Sequence, residues 1–101
     1  MKQSFKATLW VNNATIELNP FVEEFLARTV AGAVSALKGA EDIRSLEFYL
    51  ERGNVKITVD GRELPLTPFP SDIIANTLTG LVSSLKGVDR IESLKIDMKA
   101  L

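Results

Sequence analysis

The sequence contains no cysteine and no histidine. The first absence removes disulfides, thiolate nucleophiles and thiolate metal sites together; the second removes the commonest general base and the commonest transition-metal ligand. An excess of charge is missing too. Twelve basic residues stand against 13 acidic ones, for a net charge of −1 and a pI near 5.4. No cationic field is available to hold a phosphate backbone, so nucleic acid is not an expected partner. No apolar run approaches the roughly 20 residues needed to span a bilayer, and the opening MKQSFKATLWV is too polar to read as a signal peptide. A cytoplasmic protein with no membrane partner is the expectation.

At 101 residues and 46% apolar content, the chain can bury one core without staples, so residues 1–101 are expected to form a single domain. Its organising feature is an internal duplication. Residues 11–46 laid without a gap over 59–94 agree at 15 of 36 positions, far more than composition supplies. The agreements include Val11/Val59, Pro20/Pro68, Phe21/Phe69, Gly32/Gly80, Val34/Val82, Lys38/Lys86, Gly39/Gly87 and Leu46/Leu94. Two copies are too few for a solenoid, which leaves a pseudo-twofold domain built from repeats at 5–51 and 53–99.

Each copy opens on a hairpin. Phe5, Ala7, Leu9 and Val11 alternate with polar neighbours and Trp10, Asn12-Asn13 forms a two-residue turn that accepts positive φ, and Ile16 and Leu18 return on the apolar face. This sets Leu9 opposite Ile16 and Ala7 opposite Leu18. In the second copy Asp60-Gly61 is the turn, and Leu64 and Leu66 fall opposite Ile57 and Val55. Pro65 lacks a ladder donor, which predicts a sheet edge.

A helix follows each hairpin. Asn19 and Thr67 are N-cap residues with Pro20 and Pro68 at the first helical position, and Glu23, Glu24 and Asp72 place negative charge where the helix dipole favours it. Phe21, Phe25, Leu26, Thr29, Val30, Ala33, Val34 and Leu37 make an apolar stripe; Phe69, Ile73, Ile74, Thr77, Leu78, Leu81, Val82 and Leu85 make its counterpart. Both stripes are expected in the core. Lys38-Gly39 and Lys86-Gly87 read as helix stops.

Each copy closes with a strand, carrying Leu46, Phe48 and Leu50 or Leu94, Ile96 and Met98. Arg52-Gly53 then turns the first into Val55, pairing Leu50 with Val55, Phe48 with Ile57 and Leu46 with Val59. By repeat symmetry the last strand pairs antiparallel with the first, Ile96 against Leu9 and Lys95 against Trp10. The fold class is therefore α+β: two tandem ββαβ repeats in one two-layer domain, six mostly antiparallel strands with two helices on one face. Strand order stays open between a flat six-stranded sheet and a partly closed one.

The residues offer little chemistry. Glu24 or Asp72 would serve as a general base only if desolvated, and their places at helix starts already have an electrostatic cause. Glu41, Asp42, Asp89 and Arg90 read as solvated loop charge. No Asp/Asn loop has the ligand spacing of an EF-hand, Asp60 is explained by its turn, and no cofactor is implied. Gly32 and Gly80 sit inside helices at about 1 kcal/mol each relative to alanine, which suggests close backbone contact rather than a phosphate cradle.

The sheet face away from the helices is polar except for the chain's only Trp and only Tyr. Amphipathic aromatics on a wet surface are typical contact anchors, although Trp10 stacked on Lys95 would also account for itself as a cation–π contact. The duplication adds a second signal. Trp10/Thr58, Arg28/Asn76, Tyr49/Asp97 and Glu47/Lys95 differ between copies at surfaces the fold does not constrain. The reading is a non-enzymatic interaction module, a homodimer through the open sheet face or an edge strand, with Trp10, Tyr49, Lys95 and Lys56 at the contact. The alternatives are a carrier of an unidentified small apolar ligand, with a pocket between helices and sheet lined by Phe25, Phe48 and Met98, and an acid–base enzyme using Glu24 or Asp72.

Overall fold

In a computed structural model of the chain, residues 5–38, 43–65, 68–85, 88 and 90–101 are described. The elements in order are β1 (Phe5–Val11), β2 (Ala14–Ile16), α1 (Pro20–Lys38), β3 (Ser45–Glu51), β4 (Asn54–Val59), β5 (Arg62–Glu63), α2 (Pro68–Ser83) and β6 (Ser93–Ala100). The six strands form one antiparallel sheet in the order β2-β1-β6-β3-β4-β5, and the domain measures 33 × 31 × 19 Å.

Hairpin registers follow from the turns. Asn12 and Asn13 have φ of 52° and 68°, Arg52 and Gly53 49° and 82°, Asp60 and Gly61 49° and 85°. These paired positive values match the right-handed twist of the flanking strands. Leu9 faces Ile16, Phe48 faces Ile57 and Leu50 faces Val55, as expected. The Leu64 N–H donates to the Ile57 carbonyl at 2.8 Å. β6 lies against β1 with Ile96 opposite Leu9 and Lys95 opposite Trp10. The open question of strand order is settled by a pairing the residues did not announce: β3 lies beside β6, with Phe48 opposite Ile96. Leu9, Ile96, Phe48 and Ile57 thus form one row across four strands, each completely buried.

β2 ends at Ile16, before Leu18 can pair with Ala7. The Ala7 N–H donates instead to a Glu23 carboxylate oxygen at 2.8 Å, so a charged acceptor from the first turn of α1 stands where a ladder partner is missing. Asn19 caps that helix, its Oδ1 accepting the Val22 N–H at 2.8 Å, and both helices begin at their prolines, Pro20 and Pro68. Helix α2 ends at Ser83, short of Lys86. Ser83 and Ser84 hydroxyls donate to the Gly80 carbonyl, and the Leu85 N–H reaches Val82, so the last turn tightens into i→i+3 bonds. Thr67, Leu66, Gly39, Glu41, Asp42, Lys86, Gly87 and Asp89, together with the side chains of Leu37, Lys38 and Phe69, lie outside the described residues.

Two expectations about the helices are corrected. The core takes Leu26, Ala27, Val30 and Val34 from α1 and Ile74, Leu78 and Val82 from α2. Phe21, Phe25 and Ile73 stand on the outer surface at 72%, 48% and 49% exposure. The apolar arc of each helix is wider than a single sheet can cover, and contact with the strands selects the rows at 26-30-34 and 74-78-82. Gly32 and Gly80 make no close contact either: both are exposed, and a Cβ added at either would meet nothing within 4 Å.

A further device joins distant segments. The Asn12 Oδ1 accepts the N–H groups of Glu92 and Ser93 at 2.7 and 3.0 Å, and its Nδ2 donates to the Arg90 carbonyl at 2.6 Å. The Asp60 Oδ1 likewise accepts the N–H groups of Arg44 and Ser45 at 2.9 and 2.8 Å. Each turn residue thus receives the backbone that enters a central strand.

Replacing Asn12 or Asp60 by glycine keeps the positive φ but deletes these bonds. Each variant should lose about 2 kcal/mol of unfolding free energy in urea, while Asp60→Asn, which keeps the acceptor, loses less than half of that. Gly32→Ala and Gly80→Ala should each raise the unfolding free energy by about 0.5–1 kcal/mol at low micromolar protein concentration. A destabilised alanine variant would mean that the helix surface is crowded there.

Candidate functional site on the open sheet face

Side chains alternate across a strand, so every position between the core rows points away from the helices. Register turns this alternation into rows. Trp10 pairs with Lys95, Lys95 with Tyr49, and Tyr49 with Lys56, while Thr15 extends the row beyond Trp10. The four residues singled out in the sequence therefore stand side by side across β1, β6, β3 and β4. The neighbouring row is Thr8, Asp97, Glu47, Thr58 and Glu63, and beyond it lie Lys6, Lys99 and Ser45. The face is banded: cationic with aromatics, then acidic, then cationic.

Within the first row the Lys95 ammonium lies 5.0 Å from the Trp10 ring centroid, a cation–π contact worth about 0.5–1 kcal/mol at an exposed site. The Tyr49 hydroxyl donates to a Glu51 carboxylate oxygen at 2.9 Å. That hydrogen bond, with minor contributions from desolvation and the Glu51 charge, holds the Tyr49 pKa above the ordinary tyrosine value of 10.0. Lys56 approaches Glu63 at 4.0 Å with both side chains well exposed, so this pair adds little. Two depressions flank Lys95, one of about 300 Å³ bounded by Trp10, Asn13, Tyr49 and Ser93, the other of about 250 Å³ bounded by Glu47, Tyr49, Lys56 and Thr58.

Of the residues contrasted pairwise in the sequence, Trp10, Tyr49, Lys95, Glu47, Asp97 and Thr58 meet on this face. Arg28 and Asn76 do not; they lie on exposed helix surface. Glu24 and Arg28 form an ion pair at 2.9 Å beside Phe21 and Phe25, with 64% and 40% of their side chains exposed. A shallow cleft does join this carboxylate to Arg28, but all four lining residues belong to one helix surface, and the carboxylate is solvated and paired. No group of three or more metal-ligating side chains occurs among the described residues. Phe48 and Met98 are buried in the core whereas Phe25 is outside, so these three do not line a common pocket. One cleft was not foreseen. About 500 Å³ in volume, it lies between the Arg52-Gly53 turn, Asn76 and Thr79 of α2, and Arg90 to Glu92. No sequence signal marks it, because its walls come from three segments remote in the chain.

Family models, curated proteins and solved structures were compared with the chain, and none matches it. No helix among the described residues is long and apolar enough to cross a membrane.

Tyr49 is the only tyrosine, so its phenolate absorbance reports one group. The titration midpoint should lie above 10.0 and fall back toward that value in Glu51→Gln. Because the folded-state pKa is raised, any stability this bond contributes is present below the ordinary tyrosine range and disappears as pH rises through the folded value. An unchanged midpoint in the variant would remove the Glu51 contact.

Proposed function

We propose that this chain is a non-enzymatic interaction module that holds a protein partner on the open face of its sheet, with Trp10, Lys95, Tyr49 and Lys56 as the contact row. The observation that carries the reading is the register, which sets two amphipathic aromatics on either side of one lysine, with a depression on each flank. Rigid aromatics supply contact area at low conformational cost, and the adjoining acidic row gives orientation, since a partner must meet bands of alternating sign. Nucleic acid does not fit this surface, because its uniform negative charge would lie against Asp97, Glu47 and Glu63.

The reading includes the duplication. Two ββαβ repeats, 5–51 and 53–99, related by a pseudo-twofold between β6 and β3, account for a strand order in which each half lends its last strand to the other. Asn12 and Asp60 hold equivalent backbone in opposite halves, and Leu26/Ile74, Val30/Leu78 and Val34/Val82 occupy matching core positions. On this account the repeat builds a scaffold, and the departures from it, Trp10 against Thr58 and Tyr49 against Asp97, build a one-sided contact.

Selection against a displayed library of random peptides tests the proposal. Recovered binders should lose at least tenfold in affinity for Trp10→Ala and for Tyr49→Ala, and be unaffected by Asp72→Asn on the helix layer. Binders indifferent to Trp10 and Tyr49, or no binders at all, would overturn it.

A further inference from the structure

The two layers expose opposite chemistry. The open sheet face carries charge in every row, whereas the chain has no charged residue between Arg28 and Lys38 or between Asp72 and Lys86. On those helix segments the outward positions are uncharged. Phe21 and Phe25 pack edge to face at 5.9 Å while remaining 72% and 48% exposed, and Ile73 is 49% exposed on α2. Thr77 and Gly80 continue that surface without a charge, and Gly80 presents bare backbone. A helix exposed to water ordinarily carries charged or polar residues on its outer face, and large exposed hydrophobics gathered on one surface mark an interaction site.

We infer that the outer face of the helix layer binds a second copy of this chain, helices against helices, and leaves the sheet face free. Size and charge select this occupant. Helices of 19 and 16 residues lying side by side present roughly 25 by 20 Å, on the order of 500 Å² in projection and more in accessible area, approaching the lower end of the roughly 600–1,000 Å² per partner of a standard interface. A twofold contact sets the same patch against itself, so an uncharged centre needs no complementary charge, and the rim supplies both signs in Glu24 and Arg28. A membrane surface is a poorer match, because an interfacial helix pair carries a lysine- and arginine-rich border, and among the described residues the exposed cation that borders the Phe21 and Phe25 patch, Arg28, is paired with Glu24.

Sedimentation of the wild-type chain over micromolar to millimolar concentration should show mass rising from 11.1 kDa to twice that value. The double variant Phe25→Glu, Ile73→Glu changes only exposed positions; it should keep the circular dichroism of the wild type and raise the dimer dissociation constant at least a hundredfold, while Trp10→Ala leaves it unchanged. Amide resonances of the wild type provide a readout that does not depend on how the variant folds: those of Phe25, Gly32, Ile73 and Gly80 should shift on dilution and those of Thr8, Trp10 and Tyr49 should not. A monomer at millimolar concentration overturns the inference, as does a dimer insensitive to the double variant or a dilution shift confined to the sheet face. None of these results bears on peptide binding at Trp10, so the two proposals fail separately.

Discussion

The side-chain oxygens of Asn12 and Asp60 hold the two central strands in place. Each sits at the first position of a tight turn with φ near 50° and accepts two backbone N–H groups from the segment that enters β6 or β3. The main chain reinforces the contact, since the Asn12 and Asp60 N–H groups donate to the Ser93 and Ser45 carbonyls at 3.0 and 2.9 Å. Strands β6 and β3 arrive after long connections through a helix, so no short turn fixes their register. A one-residue slip would move Leu94, Ile96 and Met98 from the core to the open face. Anchoring the first residues of each strand removes that freedom.

With register fixed, the two faces follow from alternation. Among the described residues no polar side chain is buried, so the core makes no demand for internal hydrogen bonding and gains its stability from apolar burial. Apart from Arg62, which lies opposite Val59 at the β5 edge, the charges on the strands are driven to the far side, where the alternation concentrates them into bands. Glu47 and Asp97 are direct cross-strand neighbours of like charge, an arrangement that costs stability on a bare sheet. It persists beside lysine rows on both sides, which makes the banding a property of the whole face rather than of any one pair. Glu23 shows the complementary use of charge, closing the Ala7 N–H where the edge strand has run out.

The three hairpins were legible because each turn has two residues, which ties register directly to sequence spacing. The β1–β6 pairing was legible only by laying residues 11–46 over 59–94, and the β3–β6 pairing not at all, since nothing local links those strands. The same limit applies to the site. Parity places Trp10, Tyr49, Lys95 and Lys56 on one face, but only the β3–β6 register brings Tyr49 beside Lys95 and makes a single row. Asn12 and Asp60 were legible as turn formers and illegible as anchors, because their acceptors reach backbone 15 to 81 residues away. Helix orientation was misread for a different reason. The apolar residues of α1 and α2 cover more than one face, and periodicity cannot choose between arcs when Phe21 and Phe25 are as apolar as Leu26 and Val30.

That surplus of apolar surface ties the two proposed contacts together. A two-layer α+β domain must leave one side of each layer uncovered, and the ordinary solution is to make both sides polar. Here the sheet follows that rule and the helices follow it only in part, since Phe21, Phe25 and Ile73 stand exposed among Glu24, Arg28, Asn76 and Thr77. The core cluster takes its helix residues from the inner rows, so the exposed parts of Phe21, Phe25 and Ile73 add nothing to it. Placing Phe21, Phe25 and Ile73 outward is therefore better explained by what the surface meets than by how the chain folds. The sheet face, with its aromatics held among charges, is suited to a reversible and oriented partner. The helix face is suited to a contact that excludes water altogether, and a second copy supplies one without requiring any other molecule.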